Sequence, residues 1–128
     1  MHAREQYQAA ATTTAGPAQL VLMLYDGAIA RIRTAIEALR AEPVDLHCAH
    51  DGLTRAQAIV GELMVTLDHD RGGELSANLA NLYAFCTEQL IEANLAKDPS
   101  AAEVVVDVLT GLRDAWQEAC ATGAAAAV

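Results

Sequence analysis

The sequence predicts an all-α protein, an antiparallel up-and-down four-helix bundle with a flexible or loosely docked N-terminal arm. Hydrophobic residues make up 53% of the 128 residues, yet Phe, Trp and Tyr together make up only 4%, and this composition favours helices over strands. Proline and glycine separate four segments of similar length, and the short turns between them make consecutive helices antiparallel neighbours. The chain length suits a single domain with its own core.

Residues 1–16 are predicted to form the arm. They are polar, include a run of three threonines that is unfavourable to a helix, and contain one aromatic residue, Tyr7, as the only obvious anchor. Residues 121–128, which are mostly alanine, are predicted to be a disordered tail. The bundle is therefore expected to occupy residues 17–120.

Helix one is predicted from Pro17 to about Ala41, because proline suits the first helical position and Pro43 cannot continue a helix. Each residue turns the helix by about 100°, and this periodicity predicts one buried stripe. The stripe consists of Val21, Leu24, Tyr25, Ala28, Ile32, Ala35, Ile36 and Leu39.

Helix two is predicted from about Asp45 to His69, and Arg71-Gly72-Gly73 is interpreted as its end. Its apolar residues alternate in steps of three and four, which is typical of a bundle seam. The seam consists of Leu46, Ala49, Leu53, Ala56, Val60, Leu63 and Leu67.

Helix three is predicted from about Glu74 to Lys97, with a buried stripe of Leu75, Leu79, Leu82, Cys86, Leu90 and Ala93. Tyr83, like Tyr25 on helix one, is expected at the margin of its stripe, where a hydroxyl can reach water. Helix four begins with a proline and the capping box Ser100-x-x-Glu103. Its inward residues are Val105, Val108, Leu109, Leu112, Trp116 and Ala119.

The charge of the chain argues against two classes of partner. Acidic residues outnumber basic ones by 17 to 8, so nucleic acid and anionic membrane surfaces are poor partners. No apolar run approaches the roughly 20 residues of a membrane span, and no secretory signal pattern is present, so we expect a cytoplasmic protein without membrane insertion. Cys48, Cys86 and Cys120 are widely spaced and odd in number, which indicates reduced thiols.

The histidines and their neighbours could serve as a metal site or as a phosphate relay instead of being solvated surface residues. His47, Cys48, His50 and Asp51 lie within about one helical turn and could share a metal ion, but a complete ligand set is missing. An exposed histidine such as His69 could relay phosphate, but the neighbouring aspartates repel a dianion. A His phosphorelay or metal-binding bundle is therefore the alternative hypothesis. No other catalytic motif is present, so a non-enzyme without a cofactor is favoured.

The first two turns of helix one carry more apolar residues than one buried face needs. Met23 falls on the far side of the helix, and Leu20 and Leu22 lie at the edges of the stripe. Other helices also carry apolar residues outside the main stripe: Ile59, Val65, Phe85, Ile91, Val104 and Val106. A bundle with this surplus offers grooves into which another amphipathic helix can lay its apolar face.

Several blocks of the sequence resemble one known family when they are taken in order. The blocks are LVLMLYDGA at 20–28, LTRAQAIVGELMVTLD at 53–68, GGELSANLANLYAF at 72–85 and LIEANLAKD at 90–98, with Tyr7 before them and Trp116 after them. Together they resemble the flagellin export chaperone family, FliS. The resemblance covers about residues 7–119.

The resemblance implies a cytoplasmic chaperone that binds the C-terminal amphipathic segment of flagellin. Such a chaperone prevents premature polymerisation and delivers flagellin to the flagellar type III export gate. The family's arm packs on the bundle when flagellin is absent, so Tyr7 is expected to act as a gating residue. The candidate flagellin contacts are Leu20, Met23, Tyr25, Leu82, Tyr83 and Phe85. The sequence leaves open whether the free protein forms a weak homodimer through the same groove.

Overall fold

The computed structural model describes residues 16–123. Within that range the chain forms four α-helices and no strand: α1 (Pro17–Arg40), α2 (Leu46–Thr66), α3 (His69–Ala96) and α4 (Pro99–Thr122). Each helix packs against the next in sequence, and α1 closes against α4, so α1 and α3 stand diagonally across the bundle. The predicted all-α four-helix bundle is confirmed. The predicted arm, apart from Gly16, and residues 124–128 lie outside the described residues.

Three helix starts follow the signals in the sequence. Gly16 precedes Pro17 at the start of α1, the Asp45 side chain accepts a hydrogen bond from the Cys48 N–H at 3.0 Å, and Asp98 accepts one from the Ser100 N–H at 2.9 Å. These caps satisfy backbone donors that have no partner within the helix. Glu103, the last residue of the predicted capping box, pairs instead with Arg40 of α1.

The corner between α2 and α3 differs from the prediction. Helix α2 ends at Thr66, and Asp68 caps a new turn by accepting a hydrogen bond from the Arg71 N–H at 3.1 Å. Gly73 then adopts φ 52° and ψ −122°, the conformation of the first central residue in a type II′ turn. Residues other than glycine avoid this conformation because of their Cβ atom. The interpretation of Arg71-Gly72-Gly73 as the end of α2 is therefore wrong, because these residues belong to the first turn of α3.

The core contains most of the predicted stripes, including the α2 seam from Ala49 to Leu63. Three leucines predicted to be buried are exposed. Leu46 and Leu75 lie in the first turns of regular helix, where side chains lean back past the helix start. Leu82 precedes Tyr83, and the buried stripe of α3 runs through Tyr83, so Leu82 is turned by about 100° out of the core. Leu22, which was placed at the edge of its stripe, is buried.

Helices α1 and α2 pack closely at Gly52. A Cβ atom added there would stand 2.8 Å from the carbonyl oxygen of Arg31 and 3.0 Å from the Cβ of Ala35. The contact of 2.8 Å could be relieved only by a movement of the α1 backbone, because the Arg31 carbonyl is part of that backbone. The small residues at this contact therefore set the spacing of the two helices.

None of the described helices is both long enough and apolar enough to cross a membrane.

Gly52→Ala is expected to lower the free energy of unfolding by about 1–3 kcal/mol, because the added methyl group forces α1 away from α2. Gly61→Ala is the matched control on the same helix, since a Cβ at Gly61 meets no atom within 4 Å. That control should raise the free energy of unfolding by about 0.5–1 kcal/mol through helix propensity. Urea unfolding measures both, and equal effects would contradict the close packing at Gly52.

Candidate functional site

An open cleft of about 580 Å³ lies at the end of the bundle where α1 begins and α4 ends. Its volume falls in the range of protein sites that hold a small molecule or several side chains of a partner. The cleft is lined by residues from all four helices and their ends: Pro17, Ala18, Leu20, Val21, Thr66, Asp68, Arg71, Trp116, Cys120 and Gly123. One of the predicted partner-binding residues, Leu20, is therefore part of its wall.

Trp116 connects the two helices that frame the cleft. Its indole Nε1–H donates a hydrogen bond to the backbone oxygen of Ala18 at 2.8 Å, and its ring packs against the core as well as lining the cleft. Further along the same pair of helices, the Arg113 Nε–H donates to Asp26 at 2.8 Å. Trp116 is partly buried against the core, as predicted, and it also forms part of the cleft wall.

The cleft is apolar, with a few polar groups at one side. The Thr66 hydroxyl donates to the Leu63 carbonyl oxygen at 2.7 Å, and the Asp68 carboxylate accepts from the Arg71 N–H, so both are engaged within the protein. The Arg71 side chain is exposed beside them. An occupant would therefore be mostly apolar, because apolar walls reward the removal of apolar surface from water.

A second, much smaller cavity of about 20 Å³ lies against the inner wall of the cleft. It shares Val21, Thr66 and Trp116 with the cleft, and Leu79 and Tyr83 line it towards the core. The wall of the cleft therefore has an imperfectly filled spot at the place where it meets the core. A side chain inserted there by a partner would come close to Tyr83.

Tyr25 and Tyr83 are buried and bonded to each other. Each is 1% exposed, their ring centroids are 6.4 Å apart, and the two hydroxyls form a hydrogen bond across the diagonal of the bundle. The expectation that their hydroxyls reach water is wrong. The periodicity of one helix does not show that a tyrosine on the diagonal helix lies opposite and can bond to the hydroxyl. Neither residue presents surface to a partner.

Burial governs the acid–base behaviour of this pair. Removal of water from the phenol groups raises the pKa of Tyr25 and of Tyr83 above the ordinary value. Burial also raises the pKa of the neighbouring Cys86 thiol to about 11. All three groups are therefore neutral near pH 7, which suits a stabilising role in the core and not a nucleophilic one.

The remaining predicted contacts lie on two separate surfaces. Leu20 and Met23 are exposed on α1, Leu20 at the cleft and Met23 one turn further along the helix. Leu82 and Phe85 are exposed on α3, which stands diagonally opposite α1. The structure does not bring these two pairs into one groove. Tyr7 lies outside the described residues.

Two residues of the alternative hypothesis, His50 and Asp51, are engaged with other side chains. The side-chain amide of Asn94 donates to His50 Nδ1 at 3.0 Å, and Lys97 donates to the Asn94 oxygen at 2.6 Å. Both oxygens of the Asp51 carboxylate accept the Nε–H of Arg55, and this hydrogen bond holds the pKa of the carboxyl below its usual range. Among residues 16–123, no three His, Cys, Asp or Glu side chains are grouped closely enough to hold a metal ion.

Arg71 and Asp68 are the charged cleft residues that sequence reasoning did not assign to a partner site. Their segment was interpreted as the end of a helix, and Asp68 was considered only as a charge that repels phosphate at His69, so neither residue was assigned to a partner site. The acidic residues Asp68 and Asp70 could have identified this segment as a helix start, because acidic side chains favour the first turn. No periodicity argument could have shown that this turn faces α1 and α4.

An antiparallel four-helix bundle with an apolar cleft at one end places the protein in the class of small all-α bundle proteins. Comparison with known proteins defines the family. Residues 1–123 match the family model described as flagellar protein FliS, and the chain belongs to that family.

Three curated relatives show the extent of the similarity. The flagellar secretion chaperone FliS of Bacillus subtilis is 36% identical over 113 residues, covering 88% of this chain and 82% of the relative. FliS of Salmonella typhimurium is 35% identical, covering 84% and 79% of the two chains. FliSB of Pseudomonas aeruginosa is 33% identical, covering 91% and 94%. All three are named chaperones, so the family is not one of enzymes.

The hydroxyl pair in the core is testable by mutation. Tyr83→Phe leaves the Tyr25 hydroxyl buried without its partner and is expected to cost about 1–3 kcal/mol of unfolding free energy. The double variant Tyr25→Phe/Tyr83→Phe should cost less than the sum of the single variants, because it removes both polar groups. Urea unfolding measures the cycle, and strictly additive single effects would contradict a direct bond.

The same pair gives the stability a dependence on alkaline pH. The folded protein holds the tyrosine pKa values above the unfolded value of about 10, so the stability contribution of the neutral pair is complete below that pH. It decreases as the pH rises further, because the unfolded chain then loses protons that the folded chain retains. Between pH 9 and 11.5 the free energy of unfolding of the double variant Tyr25→Phe/Tyr83→Phe should decrease less steeply than that of the wild-type protein. An equal slope in the two proteins would contradict this.

Proposed function

We propose that this protein is a cytoplasmic export chaperone that binds the C-terminal amphipathic segment of flagellin. It keeps that segment from polymerising early and delivers flagellin to the flagellar type III export gate. The observation that carries the proposal is the open apolar cleft, with Leu20 in its wall, in a chain of the FliS family. The relatives' names supply the export role, and the cleft supplies a place for a partner.

The chemistry of the cleft supports a polypeptide partner. An amphipathic helix exposes a stripe of aliphatic side chains, and a cleft of about 580 Å³ has room for several of them. Trp116 offers a large flat apolar surface, a residue type that often dominates binding energy at interfaces. Met23, next to the cleft residues on α1, adds a flexible side chain that adapts to its contact.

The separation of the two apolar surfaces gives a requirement for the partner. A helix with its side chains is about 10 Å across, so a partner that passes from α1 around α4 to α3 covers roughly 20 Å. A helical segment of about 13 residues has this length. A segment that reached Leu82 and Phe85 as well as Leu20 and Met23 would therefore wrap part of the bundle. A short peptide would occupy one surface only.

Binding of this kind prevents polymerisation by competition. A segment whose apolar stripe is buried against the bundle cannot pair at the same time with another flagellin molecule, and the export gate would receive the complex. Within the proposal, Tyr7 gates the site from the N-terminal arm. That part follows from the resemblance of the chain to the family.

Met23→Glu is expected to weaken binding of the flagellin C-terminal segment about tenfold, because it places a charge in an apolar contact. The thermal midpoint should change little, since Met23 is 44% exposed. Titration calorimetry measures the affinity of the wild-type protein and the variant for the segment from the same organism. Wild-type binding should also show a negative heat-capacity change, the mark of apolar burial.

Leu95→Glu is the matched control, because Leu95 is 80% exposed near the end of α3 that is far from the cleft. It should bind the segment as the wild-type protein does. Equal weakening by both substitutions would show that the effect comes from added charge alone. Absence of wild-type binding by a folded protein would overturn the proposed function. Titration at two protein concentrations would reveal a competing homodimer by a change in apparent affinity.

A further inference from the structure

The cleft contains one basic side chain in a strongly acidic protein. The net charge of the chain is −9, and among the described residues that line the cleft Arg71 is the only Lys or Arg, close to one carboxylate, that of Asp68, which already accepts the Arg71 N–H. Three other arginines within residues 16–123 form ion pairs: Arg40 with Glu103, Arg55 with Asp51 and Arg113 with Asp26. No ion pair of the Arg71 guanidinium forms within that range.

The backbone around Arg71 is held in place while its side chain remains exposed. Its N–H donates to the Asp68 carboxylate at 3.1 Å, and the next N–H, that of Gly72, donates to the Asp68 carbonyl oxygen at 2.7 Å. Gly73, with φ 52°, then turns the chain into the main body of α3. This short turn fixes the position from which the Arg71 side chain reaches the cleft.

The exposed Arg71 guanidinium beside apolar walls has a natural partner. A guanidinium receives a carboxylate through two parallel hydrogen bonds, and the pairing strengthens where apolar surface excludes water. The remainder of this acidic protein repels carboxylates, so an acidic residue of a partner is favoured at Arg71 and disfavoured over most of the surface. The arrangement therefore gives an incoming segment both an orientation and a register.

We infer that the cleft selects segments in which an acidic residue stands next to the apolar residues that enter it, and that Arg71 receives this carboxylate. Arg71 is then a specificity-determining residue, and the ligand class is an acidic amphipathic helix. The inference rests on the proposed function, since the probe for it is the C-terminal segment of flagellin.

The test compares Arg71→Glu and Arg71→Gln with Arg33→Glu in the full-length protein. Arg33 is exposed on α1 roughly 20 Å from Ala18 along the helix, and its replacement changes the net charge by the same amount as Arg71→Glu. Arg71→Glu should weaken binding of the flagellin segment about tenfold and Arg71→Gln about threefold, while Arg33→Glu stays near the wild-type affinity. The difference should shrink at high salt.

Trp116 reports on the cleft directly, because it is the only tryptophan of the chain and lines the cleft wall. Its emission is followed during each titration with a tryptophan-free segment. Segments in which single acidic residues are replaced by lysine complete the test. One of them should lose affinity for the wild-type protein and regain it with Arg71→Glu, which a merely structural role of Arg71 would not produce.

Each of the other possible results would overturn the inference. Wild-type affinity in Arg71→Glu would overturn the inference and leave the proposed function in place. Equal weakening by Arg71→Glu and Arg33→Glu would overturn it in favour of a general charge effect, and so would the lack of any compensating lysine segment. Failure of the wild-type protein to bind flagellin would overturn the proposed function and the inference with it.

Discussion

The hydrogen bond between Tyr25 and Tyr83 is the constraint around which the rest of the bundle is arranged. Two large rings meet in the interior from diagonal helices, and each hydroxyl there has the other as its partner. Alanine and glycine at the contact of α1 with α2 let those two helices approach closely beside this pair of helices. An unpaired hydroxyl at this depth would be costly, so the bond favours the separation of α1 and α3 at which the two hydroxyls meet.

The cleft lies at the end of the bundle where α1 begins and α4 ends. Towards the ends of α1 and α4 the side chains that face one another are small or lie at the surface, as with Ala18, Cys120 and Gly123. Trp116 holds the two helices together through the Ala18 carbonyl oxygen without filling the space between them. The bundle is thus tightly packed in the middle and open at one end. A site for a partner can exist there without a loss of core packing.

Much of the fold could be predicted because its signals are local. Proline, glycine and the capping aspartates marked most helix ends, and the spacing of leucines and alanines on α2 predicted the buried seam from Ala49 to Leu63. The failures came where two segments meet. Leu82 and Tyr83 are adjacent in sequence, and only the packing of α3 on its neighbours decides that Tyr83 faces inward. Arg71 lines the cleft, but it lies in a turn whose sequence resembles a helix end. Leu20 and Met23 were predicted to lie outside the core because too many apolar residues occur in too few turns for one face to bury.

The contact between Trp116 and Ala18 also has a consequence for how the molecule can be handled. It brings the start of the first helix and the end of the last helix to the same rim, so a tag or fluorescent protein fused next to either helix would be tethered at the entrance of the cleft at high local concentration. The connection at residues 41–45 lies at the opposite end and is exposed. A circularly permuted chain opened there and joined across the rim would place its attachments far from the cleft.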